Sequence, residues 1–147
     1  MLDVNGGVDD RVAVGCRLVE RLTAEGVALE DIYVDTCVLP VSTGSAHGRS
    51  VAEAVGQIVA RYPEAHTSVG LSNVSFGLPV RKLLNQTFLV LLLANGLDTA
   101  IVDPCDRQLM ANVAAAEALL GRDEYCGAYL RAYRAGKLEP PAPAAGA

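Results

Sequence analysis

Apolar positions along this chain follow two rhythms. Over residues 9–25, Val12, Cys16, Val19 and Leu22 recur at helical spacing. Asp9 and Asp10 suit the first turn, where unpaired N–H groups favour carboxylates, and Gly26 suits the C-terminal stop. The pattern then tightens into a strand-like run, DIYVDTCVL at 31–39, closed by Pro40 and a Ser/Thr/Gly-rich loop at 42–48. Val51, Val55, Ile58 and Val59 give 49–61 a helical face that Pro63 ends. A second strand-like run at 66–71 leads into small and polar residues, and a third helix spans 82–95 before Gly96. A short strand at 98–102, an Ala-rich helix at 106–120 and a last helix at 123–135 complete the pattern.

The predicted order is α-β-α-β-α-β-α-α, with strand starts near 31, 66 and 98. Strands spaced by a helix's length indicate right-handed βαβ units and a parallel sheet, so the expected fold class is α/β. Three parallel strands leave two open edges. A complete (β/α)₈ barrel takes about 250 residues. The 147 residues here suffice for a three-stranded layer or a segment of a barrel. Open edges of apolar strands invite pairing, so self-association or a partner chain is expected.

Charge and composition narrow the function classes. Half the residues are apolar and a fifth are charged, as in a globular domain. A net charge of −5, no basic run, no Trp and few aromatics argue against nucleic-acid binding. The acidic, Gly-rich start lacks the apolar core of a signal peptide. The longest apolar run, 88–94, is far short of the roughly 20 residues a membrane span needs. A soluble, cytoplasmic protein is expected. Cys16, Cys37, Cys105 and Cys126 are spaced by 21, 68 and 21 residues without a C-x-x-C pair, so free thiols are expected. A Pro/Ala-rich tail at 137–147 is expected to be disordered, after a domain spanning 1–136.

Candidate chemistry gathers where strands end. TSVGLSNVSFGLPVR, residues 67–81, reads as a buried strand opening through a polar loop into a helix. Ligands bind at the carboxyl ends of strands in α/β folds. Asn73 there offers one acceptor and two donors. Asp35 at a strand end is a candidate for ligand binding or for capping the following loop, and Asp103 ends the third strand, where capping of the helix from 106 is its expected role. His47 and His66 have no partner at metal-ligand spacing.

Three segments in order resemble the pterin-binding methyltransferases, which include the methyltetrahydrofolate:corrinoid methyltransferases and the folate domain of cobalamin-dependent methionine synthase. DIYVDTCVLPVS resembles the family's strand with D-P-L-x-L-P. GLSNVSFGLPVR resembles its G-[LI]-S-N-V-S segment followed by Arg. NQTFLVLLLANGLDTAIVDPCD resembles the next helix and last strand. The similarity runs from about residue 9 to 133. It implies the C-terminal part of a (β/α)₈ TIM barrel of the dihydropteroate-synthase-like type, supplying its last three βα units.

By that resemblance, Asp35 grips the two adjacent N–H donors of the pterin's amino-pyrimidinone edge. Asn73 lies at N5, the atom that carries the methyl group. Gly70 and Ser72 line the strand end beside the ring, and Arg81 meets polar or charged groups of the ligand. The implied substrate is methyltetrahydrofolate, and the implied acceptor is cobalt of a corrinoid (cobalamin) carried by a partner protein or domain. No metal site on this chain itself is expected. Thr36 and Cys37 stand where the family has Pro-Leu. The family's earlier strands carry further pterin-contacting Asp and Asn residues with no counterpart here, which implies a fragment or subunit working with a complementary N-terminal half-barrel chain. A non-catalytic pterin-binding or oligomerising remnant is the alternative. Dihydropteroate synthase shares the barrel and the pterin, but its Lys-containing strand motif and closing Arg-x-His are not matched by GLSNVS and AIVDP.

Overall fold

In the computed structural model of the chain, which describes residues 7–138, the elements follow the predicted order. They are α1 (Val8–Ala24), β1 (Tyr33–Asp35), α2 (His47–Arg61), β2 (His66–Gly70), α3 (Arg81–Ala94), β3 (Thr99–Ile101), α4 (Arg107–Leu119) and α5 (Gly127–Arg134). The tail expected to be disordered falls, from 139 onward, outside the described residues. The described residues form two compact units that divide after Val102.

The first unit holds the sheet. Its three strands are parallel in the order β1-β2-β3, with Tyr33 opposite His66, Asp35 opposite Ser68, Ser68 opposite Thr99, and Gly70 opposite Ile101. Sequential order and right-handed crossovers put α2 and α3 on one side of the sheet. Val34, Thr67 and Val69 point to that side and are buried. Val19 of α1 and Ile58 of α2 join Val34, Ile32 and Ala65 in one core cluster. A Cβ on Gly15 would lie 3.0 Å from Ile58 Cδ1 and 3.2 Å from Val34 Cγ1, so the absent side chain lets α1 settle onto both. Each fully buried Val or Ile here contributes about 1.5–3 kcal/mol.

Among the described residues, the other face of the sheet is only partly covered. Alternate residues Tyr33, Asp35, His66, Ser68, Gly70, Thr99 and Ile101 line it, with Tyr33 58% and Ile101 71% exposed. Parallel sheets normally have both faces covered. A doubly wound sheet reverses its strand order and carries helices on both sides, whereas a barrel is wound once and keeps its helices outside. This α/β unit is compatible with part of a barrel. At its amino end, His66 stacks on Tyr33 with ring centroids 4.5 Å apart. His66 Nδ1 meets Asp98 Oδ2 at 2.5 Å, and the Thr67 N–H donates to Asp98 Oδ1 at 3.0 Å. These contacts fasten the strands at the end away from Asp35 and Asn73.

Several expected boundaries shift. The first strand, expected over 31–39, is confined to Tyr33–Asp35 because Leu29–Asp31 forms a 3-10 turn and Cys37 takes φ +57. The polar loop after β2 is a 3-10 turn, Leu71–Ser75. The buried stripe of α1 is Arg11, Gly15, Cys16 and Val19, rather than one including Val12 and Leu22. Gly26 and Gly96 do end α1 and α3, at φ +91 and +99, where a Cβ is strained.

The second unit contains α4 and α5. The expected capping by Asp103 is corrected. Asp103 Oδ1 accepts the Cys105 N–H at 2.9 Å in a turn of its own, and Asp106 caps α4 by accepting the Leu109 N–H at 3.1 Å. The single helix expected over 123–135 starts as a 3-10 turn and becomes α5 only at Gly127, because Tyr125 and Cys126 adopt φ +51 and +55.

Candidate functional site

Asp35 is the last residue of β1, and its side chain is on the partly covered face. Its Oδ1 accepts the Cys37 N–H at 2.8 Å, the short-range bond by which Asp shapes the backbone two residues on. The Thr36 N–H still pairs with the Ser68 carbonyl at 3.3 Å, so the chain leaves the sheet between Thr36 and Cys37. Beneath this corner lies Arg11, 3% exposed. Its Nη1 donates to the Thr36 carbonyl at 2.5 Å and to the Cys37 carbonyl. Burial pushes the Arg11 guanidinium below its ordinary pKa, while the neighbouring Cys37 works in the opposite direction.

On the adjacent strand, β2 ends at Gly70 and the chain turns through Leu71–Ser75. Leu71, Val74 and Ser75 are buried, which leaves Ser72 and Asn73 exposed at the rim. The Asn73 amide folds back towards Gly70, its Nδ2 lying 3.4 Å from the place a Cβ would take there. Gly70 thus leaves room for the amide at the strand end. Arg81, the first residue of α3, reaches back to this turn. Its Nε donates to Ser75 Oγ at 3.1 Å and its Nη2 to the Ser72 carbonyl at 2.7 Å, with the guanidinium 5.9 Å from the Phe76 ring centre.

The two corners are also joined to each other. The Val41 N–H donates to the Val74 carbonyl at 3.0 Å, and Ser42 Oγ donates to the Phe76 carbonyl at 2.8 Å. Asp35 and Gly70 share one face of neighbouring strands, which run about 4.8 Å apart in such sheets. The structure therefore brings Asp35, Gly70, Ser72 and Asn73 to one rim. Arg81 is there too, directed into the turn that carries Asn73. A carboxylate acceptor and an amide donor are presented at the carboxyl ends of adjacent strands, both exposed.

His47 has its Nδ1 3.1 Å from the Pro40 carbonyl, and His66 belongs to the opposite end. Among the described residues, no three His, Cys, Asp or Glu side chains cluster as a metal site. No helix among them is long and apolar enough to cross a membrane. The four cysteines are free. An apolar cleft of about 460 Å³ opens in the helical layer, lined by Val41, Ala52, Val74, Leu84 and Phe88 among others. It belongs to α2 and α3 and not to the partly covered face where Asp35 stands.

Arg11 is the participant that the sequence pattern does not pick out. Its signal is nonetheless present: Arg11, Gly15 and Val19 share one helix face, and a cation occupies what is otherwise a core position.

No protein-family model matches the chain. Over 133 residues, 90% of its length, the chain is 38% identical to the methylcorrinoid:tetrahydrofolate methyltransferase of Eubacterium limosum. The chain spans 49% of that relative. The methionine synthases of Mycobacterium tuberculosis and Mycobacterium leprae match over 99 and 102 residues at 36% and 35% identity, and the chain covers 8% of each. These matches fit part of a folate-binding methyltransferase. The family's G-L-S-N-V-S segment is, in this chain, the end of β2 and the turn that holds Asn73.

Proposed function

We propose that this chain binds the pterin of methyltetrahydrofolate at the carboxyl ends of β1 and β2 and takes part in methyl transfer between N5 and a corrinoid. The observation that carries the reading is the juxtaposition of Asp35 and Asn73 on cross-linked corners of adjacent parallel strands. An ionised Asp35 has lone pairs beyond the one engaged by Cys37, enough to accept both N–H groups of an amino-pyrimidinone edge. Among the described residues it has no cationic partner to compete for them.

Asn73 acts at the reacting end. When the N5–methyl bond breaks, its electron pair stays on nitrogen, and N5 leaves well only with a proton or a strong hydrogen bond. Asn73 Nδ2 supplies the hydrogen bond, stronger in the transition state than in the ground state. Arg81 and Ser75 hold the turn so that the amide is preorganised, and Arg81 keeps its guanidinium where polar groups of the ligand meet the rim. The corrinoid, bound by a partner protein, supplies a nucleophilic cobalt for the methyl group. The relative from E. limosum is named for transfer from methylcorrinoid to tetrahydrofolate. A site complementary to one transition state serves both directions.

The partly covered face is, in this proposal, the inner wall of a TIM barrel of the dihydropteroate-synthase-like type. Its registered rows, Tyr33 with His66, Asp35 with Ser68 and Thr99, and Gly70 with Ile101, stack like the layers that fill a barrel. Further strands, from a complementary half-barrel or a second copy, would cover it. The partly exposed face also favours a second reading, in which the chain binds the pterin without transferring methyl. Calorimetric titration with methyltetrahydrofolate, followed by a cob(I)alamin methylation assay, separates the two. Binding with transfer is expected once the face is covered. Absence of binding under every such condition would end the folate assignment.

A further inference from the structure

The geometry points to Arg11 as a positioning residue that fixes the Asp35 carboxylate through the backbone of Thr36 and Cys37, an inference that rests on the pterin reading above. Arg11 is an expensive residue to bury. It is 3% exposed, forms no ion pair among the described residues, and its Nε and Nη2 have no hydrogen-bond partner. A buried guanidinium compensated by two carbonyls and the neighbouring Cys37 side chain, with no carboxylate, contributes little to stability, and an apolar residue of similar volume often does as well or better. What Arg11 does hold is specific. Its Nη1 binds the carbonyls of the two consecutive peptide bonds that flank the Cys37 Cα, where the chain leaves β1.

That corner is strained. Cys37 sits at φ +57, a left-handed conformation that side chains with a Cβ rarely adopt. Its N–H is the group that Asp35 Oδ1 accepts. The strained residue is thus gripped at both ends, by Arg11 at the carbonyl and by Asp35 at the amide. Without the guanidinium, Cys37 relaxes towards negative φ, its N–H swings away, and the carboxylate loses its orientation. Strain held by its surroundings at a rim of this kind is a mark of a preorganised site.

The test uses the full chain and the variants Arg11→Met and Arg11→Lys. Arg11→Met is expected to keep or raise the thermal midpoint while weakening tetrahydrofolate binding about tenfold. A residue that served stability alone would show the reverse. Cys37→Gly placed in the Arg11→Met background is expected to recover most of the affinity, because Gly needs no brace at positive φ. One readout is independent of ligand: hydrogen exchange of the Cys37 amide should quicken about tenfold in Arg11→Met while that of Val34 within β1 is unchanged. Unchanged Cys37 exchange, unchanged affinity in a folded variant, failure of Cys37→Gly to rescue, or loss of folding in both Arg11 variants would each overturn the inference. A wild-type chain that does not bind tetrahydrofolate would sink the pterin reading instead, and the exchange measurement would still decide the role of Arg11.

Discussion

Asp35 and Asn73 perform different tasks, and single substitutions separate them. Asp35→Asn preserves an Oδ1 acceptor for the Cys37 N–H, so the corner stays folded while the charge is lost. We expect pterin affinity to fall by at least about 1.5 kcal/mol, the scale of a charge-assisted hydrogen bond, as read by calorimetry. Wild-type affinity would refute the role given to the carboxylate. Asn73→Ala removes a donor that matters most as N5 takes up the bond's electrons. Its expected signature is a drop in transfer rate larger than the loss in binding, measured by single-turnover kinetics with the corrinoid partner and a covered sheet face. An equal effect on both would reduce Asn73 to a binding group.

At the scale of elements, two helix starts carry identifiable stress and support. α3 is preceded by Val80 at φ +50 and ψ +43, an unfavourable place for a β-branched residue that is 72% exposed. Val80→Asn suits the left-handed region and should stabilise the chain by about 1 kcal/mol, seen as a raised denaturation midpoint. α5 is supported from outside its own span. Asp123 accepts the Ala128 and Tyr129 N–H groups, each at 2.8 Å, and these bonds hold its carboxyl below the ordinary carboxylate pKa. Its contribution is therefore complete above the unfolded carboxylate pKa and is lost as pH falls through the depressed folded value. The amide resonances of Ala128 and Tyr129 should shift together in that acidic window, and the step should vanish in Asp123→Ala.

For the molecule as a whole, the decisive feature is a parallel sheet that, among the described residues, has one partly exposed face and two unpaired edges. Ile101 and Tyr33 stand in solvent on that face. The chain by itself should self-associate or bind an apolar dye, and Ile101→Lys should weaken that association while changing thermal stability by less than about 0.5 kcal/mol. Sedimentation with dye binding checks both. A compact monomer with no dye affinity would show that the face needs no cover.

The element order, the parallel pairing and the stops at Gly26 and Gly96 were legible in the sequence, because each follows from local periodicity or from a backbone conformation that only certain residues tolerate. Asn73 at a strand end followed from the local pattern, while its grouping with Asp35, Gly70 and Ser72 came from the family resemblance of their segments. Other features were decided by tertiary structure. The short reach of β1, the place of Arg11 in the buried stripe of α1, and the turning of Arg81 into the Asn73 corner all depend on contacts between residues distant in the chain. Periodicity counts apolar residues and does not register a cation held in a core position by two carbonyls. It also does not say which face of a sheet is left partly exposed, because that is settled by the hand of the crossovers and by what else is present to pack.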